Sequence, residues 1–343
     1  MKNFVLKYVP ILLLIALFVG CSKKDNNGSA ISVNNLQAID MKGEKVQLKY
    51  QFEKGEKLHY KLTTINNSNQ SLTTDSTHKS NSDQTLVYYV DLEVVDVDKD
   101  GIAELSITLS AVNLSAIVDG VKYQYDSKAN NTREDKQKYL KYEAEANFNY
   151  HARVNSKGEV IEVTRVDKLI DKIIGLQGQS RPIPPQQKQQ AIEQLAQQEI
   201  RPITQLLFRE FSPNPVGKDS TWTKSIPMNI GPMQVESNEI FKVSDFVKVG
   251  DYKGIKIDAG LTFKISGDKK ATQNGATFTF EDPKVSGGGS IIFNFEKGYI
   301  VKSETTSNIE VRVQIDGTDP ASHKAIHAKR IETNVNKNIL EQL

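Results

Sequence analysis

Long runs of period-two alternation constrain this fold more than any other feature. Apolar side chains take every second position over Leu86–Val94 and over Ala103–Leu109, and carboxylate or hydroxyl residues fill most positions between them. Successive side chains of a β-strand point to opposite faces, so the pattern predicts strands with one covered face and one wet face. Strands of this kind are typical of antiparallel sheets. We therefore expect a broad antiparallel sheet with one apolar side.

The same alternation marks the other predicted strands. Val46–Phe52 and Leu58–Leu62 flank a Glu-Lys-Gly-Glu turn and predict a hairpin. Further strands are predicted over 144–154, 160–163, 255–265, 291–295 and 301–315. Residues 324–335 fit a strand or a helix, and we favour the strand. Residues 66–83 are almost purely polar and predict a polar excursion or a very long loop.

Two amphipathic helices are predicted in the middle of the chain. The first covers 166–174, with Gly175 closing it, and the second covers 185–211. The second helix carries an apolar stripe made of Ile192, Leu195, Ala196, Ile200, Ile203 and Leu207. The predicted fold class is α+β, mainly antiparallel β. We expect a curved half-barrel (β-clam) sheet whose concave face is covered by the two helices.

The N-terminal residues indicate a targeting signal rather than a structural element. Lys2 and Lys7 precede an apolar run over Val9–Val19, which is too short for a comfortable transmembrane helix. Cys21, the only cysteine, follows a small residue at the end of that run, and the arrangement resembles the lipobox of bacterial lipoproteins. We interpret residues 1–20 as a lipoprotein signal peptide. The alternative is an ordinary secreted protein with a chance cysteine.

A lipobox implies a membrane partner and an address. Acyl chains on Cys21 would hold the protein on a membrane, since each buried methylene contributes about 0.8 kcal/mol. Residues 21–45 then comprise the acylated cysteine and a flexible tether. Ser22 follows the cysteine, which by resemblance to proteobacterial sorting rules favours the outer membrane of the bacterial cell envelope. Whether the protein faces the periplasm or the cell surface stays open.

Three short motifs stand at turns of the predicted sheet and beyond its helices. They are Lys54–Glu56, Lys157–Val160 and Pro215–Trp222. Together with the lipobox they resemble an uncharacterised family of bacterial lipoproteins, catalogued only as a domain of unknown function. The resemblance covers 46 to about 335, so we assign 46–335 to one domain and 336–343 to a C-terminal tail. It implies a LolA/LppX-like β-clam, as in lipoprotein carriers and mycobacterial lipid-binding lipoproteins, and supplies no catalytic residues.

Charge and motif content argue against several function classes. The chain has 44 Lys and Arg against 42 Asp and Glu, a net charge of +2. That balance argues against nucleic-acid binding, which requires clustered cations to neutralise phosphates. The sequence holds no nucleophile elbow, phosphate loop or zinc motif, and we expect His323 and His327 to be a solvated pair. We therefore expect no enzymatic activity and no cofactor.

Several smaller motifs have ordinary structural explanations. Asp96, Asp98 and Asp100 match the start of a calcium loop, but Ile107 stands where a bidentate glutamate is required. We predict a hairpin turn there, and no metal site. The triple glycine at 287–289 predicts a flexible strand connector.

Two serines are weak candidates for O-glycosylation. Ser76 and Ser220 each lie in an Asp-Ser-Thr triplet, and Ser76 is the better candidate because glycans need exposed loops.

The sequence favours a non-enzymatic function in which the concave face binds or carries an apolar or lipidic ligand. Alternation and helical spacing point one set of side chains inward as the lining of that face. The set is Leu105, Ile107, Leu109, Phe148, Tyr150, Leu207, Ile257, Leu261, Phe263, Phe293 and Phe295. The alternative is a scaffold whose sheet is filled by its own helices and whose partner is another envelope protein.

Overall fold

A computed structural model describes residues 36–178, 183–273, 275–318 and 325–343. The predicted signal peptide, Cys21 and most of the tether lie outside these residues. Within the described residues, fourteen strands form one open, curved sheet. All of its strand pairs are antiparallel, which confirms the architecture expected from the alternation. None of the helices in these ranges combines the length and hydropathy needed to cross a bilayer.

The first six strands are β1 Lys57–Thr73, β2 Thr77–Val97, β3 Ala103–Val118, β4 Val121–Asp126, β5 Phe148–Val154 and β6 Val160–Thr164. The others are β7 Thr221–Ile230, β8 Met233–Val249, β9 Tyr252–Gly267, β10 Lys270–Gln273, β11 Ala276–Phe280, β12 Lys284–Asn294, β13 Tyr299–Thr318 and β14 Ala325–Gln342. Across the sheet the order is β6-β5-β3-β2-β1-β14-β13-β12-β9-β8-β7, with β4 beside β3 and β11 between β10 and β13. Strands β4, β7, β8, β10 and β11 are not among the predicted ones.

The helices are α1 Arg133–Lys138, α2 Leu140–Glu145, α3 Asp167–Gln177, α4 Pro185–Leu195, a π segment Ala196–Ile200, and α5 Arg201–Leu207. Helices α1 and α2 are not predicted, because each has only six residues, too few to show a helical repeat of apolar positions. A capping box between Thr132 and Asp135 fixes the start of α1. The first predicted helix runs through Gly175 and ends at Gly178, whose φ is 64°. The second stops at Leu207, and Phe208 is extended. The π segment ends two residues before Pro202, which lacks the N–H that a continuous helix needs.

The long hairpin of β1 and β2 corrects two predictions. Apart from the turn at 74–76, residues 66–83 are strand, since β1 pairs with β2 as far as Thr73 and Thr77 and with β14 on its other edge. Backbone ladders hold both edges of 66–73 and one edge of 77–81, so apolar side chains are not required. The expected pairing of 46–52 with 58–62 is wrong, because Val46–Phe52 forms no ladder. Its Tyr50 is nevertheless buried in the core.

Both ends of the predicted domain extend further than expected. Ala38, assigned to the tether, bridges Val247 of β8. Residues 336–343, assigned to a tail, belong to β14 as far as Gln342. The ambiguous stretch before them is strand from Ala325 onward, as favoured. The triple glycine also differs from the prediction, because 287–289 lie inside β12 and pair with β13.

Two apolar clusters lie on the inner face of the sheet, which we define as the face that packs against the helices. The basal core joins α2, α3, the π segment and α5 to one half of the strands. Its largest fully buried side chains are Tyr88, Tyr150, Phe241, Phe293, Leu48, Leu62, Leu92, Leu105, Ile107, Leu109, Leu169 and Ile200. The distal cluster lies at the other end, on β7 to β9, β11, β13 and β14. It consists of Ile230, Met233, Val235, Leu261, Phe280, Ile309, Val311, Val313, Ile315 and Ala328.

The sheet divides into two arms at the distal end. Strand β9 pairs with β12 only up to the Gly260–Gly288 pair, and beyond it β9 continues beside β8 alone. The first arm is therefore β7 to β9, and the second comprises β11 and β13 with the strands beside them. The arms meet where the Phe280 ring packs against Gly231, leaving no room for a Cβ on that glycine. The distal cluster is built from the inner faces of both arms.

Candidate functional site

The structure divides the predicted lining between the two clusters. Eight of the eleven predicted lining residues lie in the basal core, and Phe295 packs against it; the eight are Leu105, Ile107, Leu109, Phe148, Tyr150, Leu207, Ile257 and Phe293. Leu261 belongs to the distal cluster, and Phe263 packs against it while half-buried. Alternation and helical spacing place all eleven on inward surfaces, but they do not form one surface. The two clusters therefore have to be examined separately.

The protein's own side chains fill the basal core. The Tyr50 ring packs on Phe211 with centroids 5.5 Å apart and on Phe293 at 5.4 Å, and Phe211 approaches Phe293 to 4.4 Å. The Tyr150 hydroxyl lies 2.9 Å from the hydroxyl of Thr204 on α5. Phe293 and Tyr150 are fully buried. Helix α5 and the extended segment around Tyr50 thus occupy the inner surface here.

The distal cluster is covered less completely. No helix is among its members, and its cover is the opposite arm of the sheet. Eight apolar side chains that pack against it are only partly buried: Leu72, Met228, Phe263, Ile265, Ala276, Phe278, Val285 and Ile326. Contiguous apolar side chains that stay partly exposed are a feature of ligand and partner sites.

A belt of polar side chains separates the two clusters. On β8 it contains Glu239, between basal Phe241 and distal Val235. Burial raises the pKa of the Glu239 carboxyl and lowers the pKa of the Arg209 guanidinium to about 10, and the attraction between these two side chains opposes both shifts. Strand β13 contributes buried Ser307. The belt also holds the ion pair between Lys224 and Glu210.

A second buried carboxyl lies beside the basal core. Glu145, at the end of α2, is 1% exposed and accepts a hydrogen bond of 2.9 Å from the Tyr88 hydroxyl. The Lys141 ammonium lies 3.9 Å away and also pairs with Glu199 of the π segment. Burial raises the pKa of Glu145 to about 7, against the opposing effects of Lys141 and Tyr88. This group titrates near neutral pH and links α2, β2 and the π segment.

Polarity changes abruptly on the inner face between β13 and β14. On β13 the inner residues are apolar from Ile309 to Ile315. Their partners on β14 and β1 form a polar strip, which we define as Ser68, Gln70, Arg330, Glu332 and Asn334. Because directly opposed residues of antiparallel strands share a face, the strip borders the distal cluster. The inner surface of the distal end is therefore amphipathic across its strands.

The polar strip is not apparent in the sequence. Residues 325–342 alternate without an apolar side, since Arg330, Glu332 and Asn334 share a face with Ala328 and Leu340. The sequence signal that could have revealed the strip is this run of charged and polar residues on an otherwise apolar face. It indicates an amphipathic surface only when β14 is known to lie beside apolar β13.

The acidic residues before β3, which match the start of a calcium loop in sequence, bond to groups of the protein itself. The Asp98 carboxylate accepts hydrogen bonds from the backbone N–H groups of Asp100 and Ile102, both at 2.9 Å, and lies 3.3 Å from Arg153. Asp96 pairs with Lys54 at 3.1 Å. These contacts are those of a hairpin turn, as predicted.

Of the remaining candidate site residues, two histidines and two serines, those that the structure describes are members of neither cluster. His327 is exposed and lies 2.7 Å from Asp316, and His323 is outside the described residues. Ser76 lies at the exposed turn between β1 and β2, whereas the Ser220 hydroxyl accepts a hydrogen bond from the Gly217 N–H.

A protein-family model matches more than half of the chain. The model described as "Family of unknown function (DUF6263)" matches residues 100–300. The match confirms that the domain belongs to an uncharacterised group, and the description carries no statement about lipidation or fold. A comparison with curated proteins finds no match.

Solved structures give remote likenesses. A structure titled "Lipid-protein interactions in lipovitellin" is 10% identical with a TM-score of 0.43, over 85% of this chain and 25% of that one. This chain thus spans a quarter of the lipovitellin chain. Pseudomonas aeruginosa OccK7 (OpdD) is 8% identical with a TM-score of 0.20, over 84% of this chain and 100% of that one. Pseudomonas aeruginosa OccK2 (OpdF) in complex with glucuronate is 7% identical with a TM-score of 0.19, over 83% and 96%. With TM-scores below 0.5, these likenesses support no functional assignment.

Proposed function

The chain belongs to the DUF6263 family of unknown function, which defines no activity, and we propose that it is a non-enzymatic envelope lipoprotein that binds an apolar or lipidic ligand on its distal cluster. The observation that carries the proposal is the partly exposed apolar surface between the two arms. A ligand there would remove half-buried side chains such as Phe263, Ile265 and Met228 from water. Each fully buried methylene of an acyl chain contributes roughly 0.8 kcal/mol.

In this proposal the sheet acts as a clam whose distal end is the less completely covered part. The basal core is filled and holds the strands together, so it forms the closed base. The arms part beyond the Gly260–Gly288 pair, and a chain-like ligand would lie between them. This places Leu261 and Phe263 at the ligand. The other nine predicted lining residues belong to the base or pack against it.

Membrane anchoring through acylated Cys21 is the second element of the proposal. It would keep the apolar cluster close to a source of lipids in the bacterial envelope, with the outer membrane favoured. We expect Cys21→Ser to abolish incorporation of a clickable fatty acid and to leave a longer precursor. Unchanged labelling of this variant would contradict the anchoring.

The alternative is a scaffold lipoprotein. The filled basal core supports it, because most of the apolar inner face there is covered by the protein itself. In that case the distal cluster would contact another envelope protein and no lipid would be bound. The two functions differ in whether the purified chain retains lipid.

Native mass spectrometry of residues 22–343 purified from bacteria separates the two. We expect a co-purified lipid that is lost in Phe263→Asp, because the new carboxylate lies against the distal cluster. The matched control is Tyr252→Asp, which changes an exposed aromatic residue at the β8–β9 turn, and it should retain the lipid. A clean protein mass, with no uptake of a fluorescent fatty acid, would favour the scaffold.

A further inference from the structure

Arg330 and Glu332 form an ion pair at the border of the distal cluster. Both project from β14 onto the inner face, where Arg330 lies between Leu72 of β1 and Val313 of β13. The Arg330 Nη2 donates to Glu332 Oε2 at 2.7 Å. The two side chains are 14% and 16% exposed, so one edge of the pair is open. Apolar and charged groups thus adjoin on a single surface.

The pair has unused hydrogen-bonding capacity. Among the described residues, the Arg330 Nε–H has no acceptor. Glu332 takes one more hydrogen bond, from the Asn334 amide at 3.0 Å, but a carboxylate accepts about four. A buried donor without an acceptor is destabilising. Because the Nε–H is enclosed, an incoming anionic oxygen would bind at the exposed edge of the guanidinium.

A similar pair on the outer face shows the contrast. Arg312 and Glu310 stand two residues apart on β13, as Arg330 and Glu332 do on β14. There the Arg312 Nε donates to Glu310 at 2.8 Å, and Lys284 also pairs with that carboxylate at 3.0 Å. The Nε–H of the outer arginine thus has an acceptor, unlike that of Arg330, and the outer pair lies on the face opposite the distal cluster.

The charges of the inner pair select the head group. A fatty-acid carboxylate near Arg330 would also face the Glu332 carboxylate and be repelled by it. A head group with both a phosphate and a primary ammonium matches the pair, because guanidinium binds phosphate and carboxylate accepts from ammonium. We propose that Arg330 and Glu332 bind the zwitterionic head group of an aminophospholipid whose acyl chains lie on the distal cluster. This inference rests on the proposed function.

Photo-crosslinking with the full chain tests the head-group preference. Three probes carry the same diazirine acyl chain, namely a phosphatidylethanolamine, a phosphatidylglycerol and a diacylglycerol, each delivered in phosphatidylcholine vesicles. We expect the phosphatidylethanolamine probe to label the distal cluster about tenfold more than the diacylglycerol probe, as for charge-assisted hydrogen bonds. Arg330→Gln should remove that excess, whereas the matched control Arg312→Gln should keep it.

The diacylglycerol probe also reports whether the cluster is intact. Its labelling should be unchanged in Arg330→Gln, and if that variant loses it, Glu332→Gln provides the second test. Removing the Glu332 charge should shift the preference towards phosphatidylglycerol. Equal labelling by all three probes, or equal effects of Arg330→Gln and Arg312→Gln, would overturn the head-group assignment alone. No labelling of the distal cluster by any probe would overturn the proposed function itself.

Discussion

The basal core and the distal cluster lie on one face of the same sheet but differ in what covers them. Helix α5 and the segment around Tyr50 cover the basal core, and its largest side chains are fully buried. The distal cluster is covered only by the opposite arm, and Phe263 and Phe278 stay half-buried. A strand's alternation determines which side chains point inward. The elements packed against them determine whether that surface is core or binding site.

The largest expected effect comes from truncating the centre of the basal core. Phe293→Ala removes a fully buried ring that packs on Tyr50 and Phe211, so it should lower the free energy of unfolding by about 3–5 kcal/mol. Phe263→Ala in the distal cluster removes a half-buried ring and should cost about 1 kcal/mol. Urea unfolding of both variants measures the difference. Equal losses would mean that the two clusters are covered alike.

The pH dependence of stability tests the burial of Glu145 beside the basal core. Its folded pKa of about 7 lies above the unfolded value of 4.5, so the folded state binds the proton more tightly. The resulting stability is fully present below pH 4.5 and is lost as pH rises through 7. Glu145→Gln cannot ionise and should be more stable than the unmodified chain at pH 8.5 by about 3 kcal/mol.

Subtracting the stability of the unmodified chain from that of Glu145→Gln at each pH cancels the contributions of all other titrating groups. We expect the variant's advantage in urea midpoint to disappear towards pH 4.5. An advantage that stays constant from pH 4.5 to 8.5 would contradict the buried, ionising carboxyl.

A smaller effect is expected at the glycine junction where the arms separate. A Cβ on Gly289 would lie 2.4 Å from the carbonyl oxygen of Glu304, so Gly289→Ala must displace the β12–β13 ladder and should cost about 1–3 kcal/mol. Gly260 on neighbouring β9 has room, with the nearest atom 3.9 Å from a Cβ. Gly260→Ala should therefore change the thermal midpoint little. Equal effects would show that close backbone approach at Gly289 does not matter.

The sequence predicts the strands whose faces differ in polarity and misses those whose faces do not. Alternation locates β2, β3, β9 and β13, because one side of each is apolar. It fails for residues 66–83, where backbone ladders hold a polar stretch, and for the Val46–Phe52 segment, where alternation reflects burial without pairing. Periodicity reports which side chains are covered, whether or not a ladder forms.

The site is less predictable than the fold for a related reason. Inward orientation of Ile107 and of Phe263 follows equally from alternation, yet one is core and the other is half-exposed. That difference depends on where α5 packs and on where β9 leaves β12, which are long-range features. The Arg330–Glu332 pair becomes significant only through its register with β13.

The central claim is that the distal cluster, and not the basal core, contacts an apolar ligand. A photoreactive phenylalanine analogue placed at Phe263 in the full chain, and irradiated in living cells, tests it directly. We predict a lipid adduct at position 263 that is identified by mass spectrometry and is absent when the analogue replaces exposed Tyr252. Equal lipid adducts at both positions, or protein adducts alone at position 263, would contradict the claim.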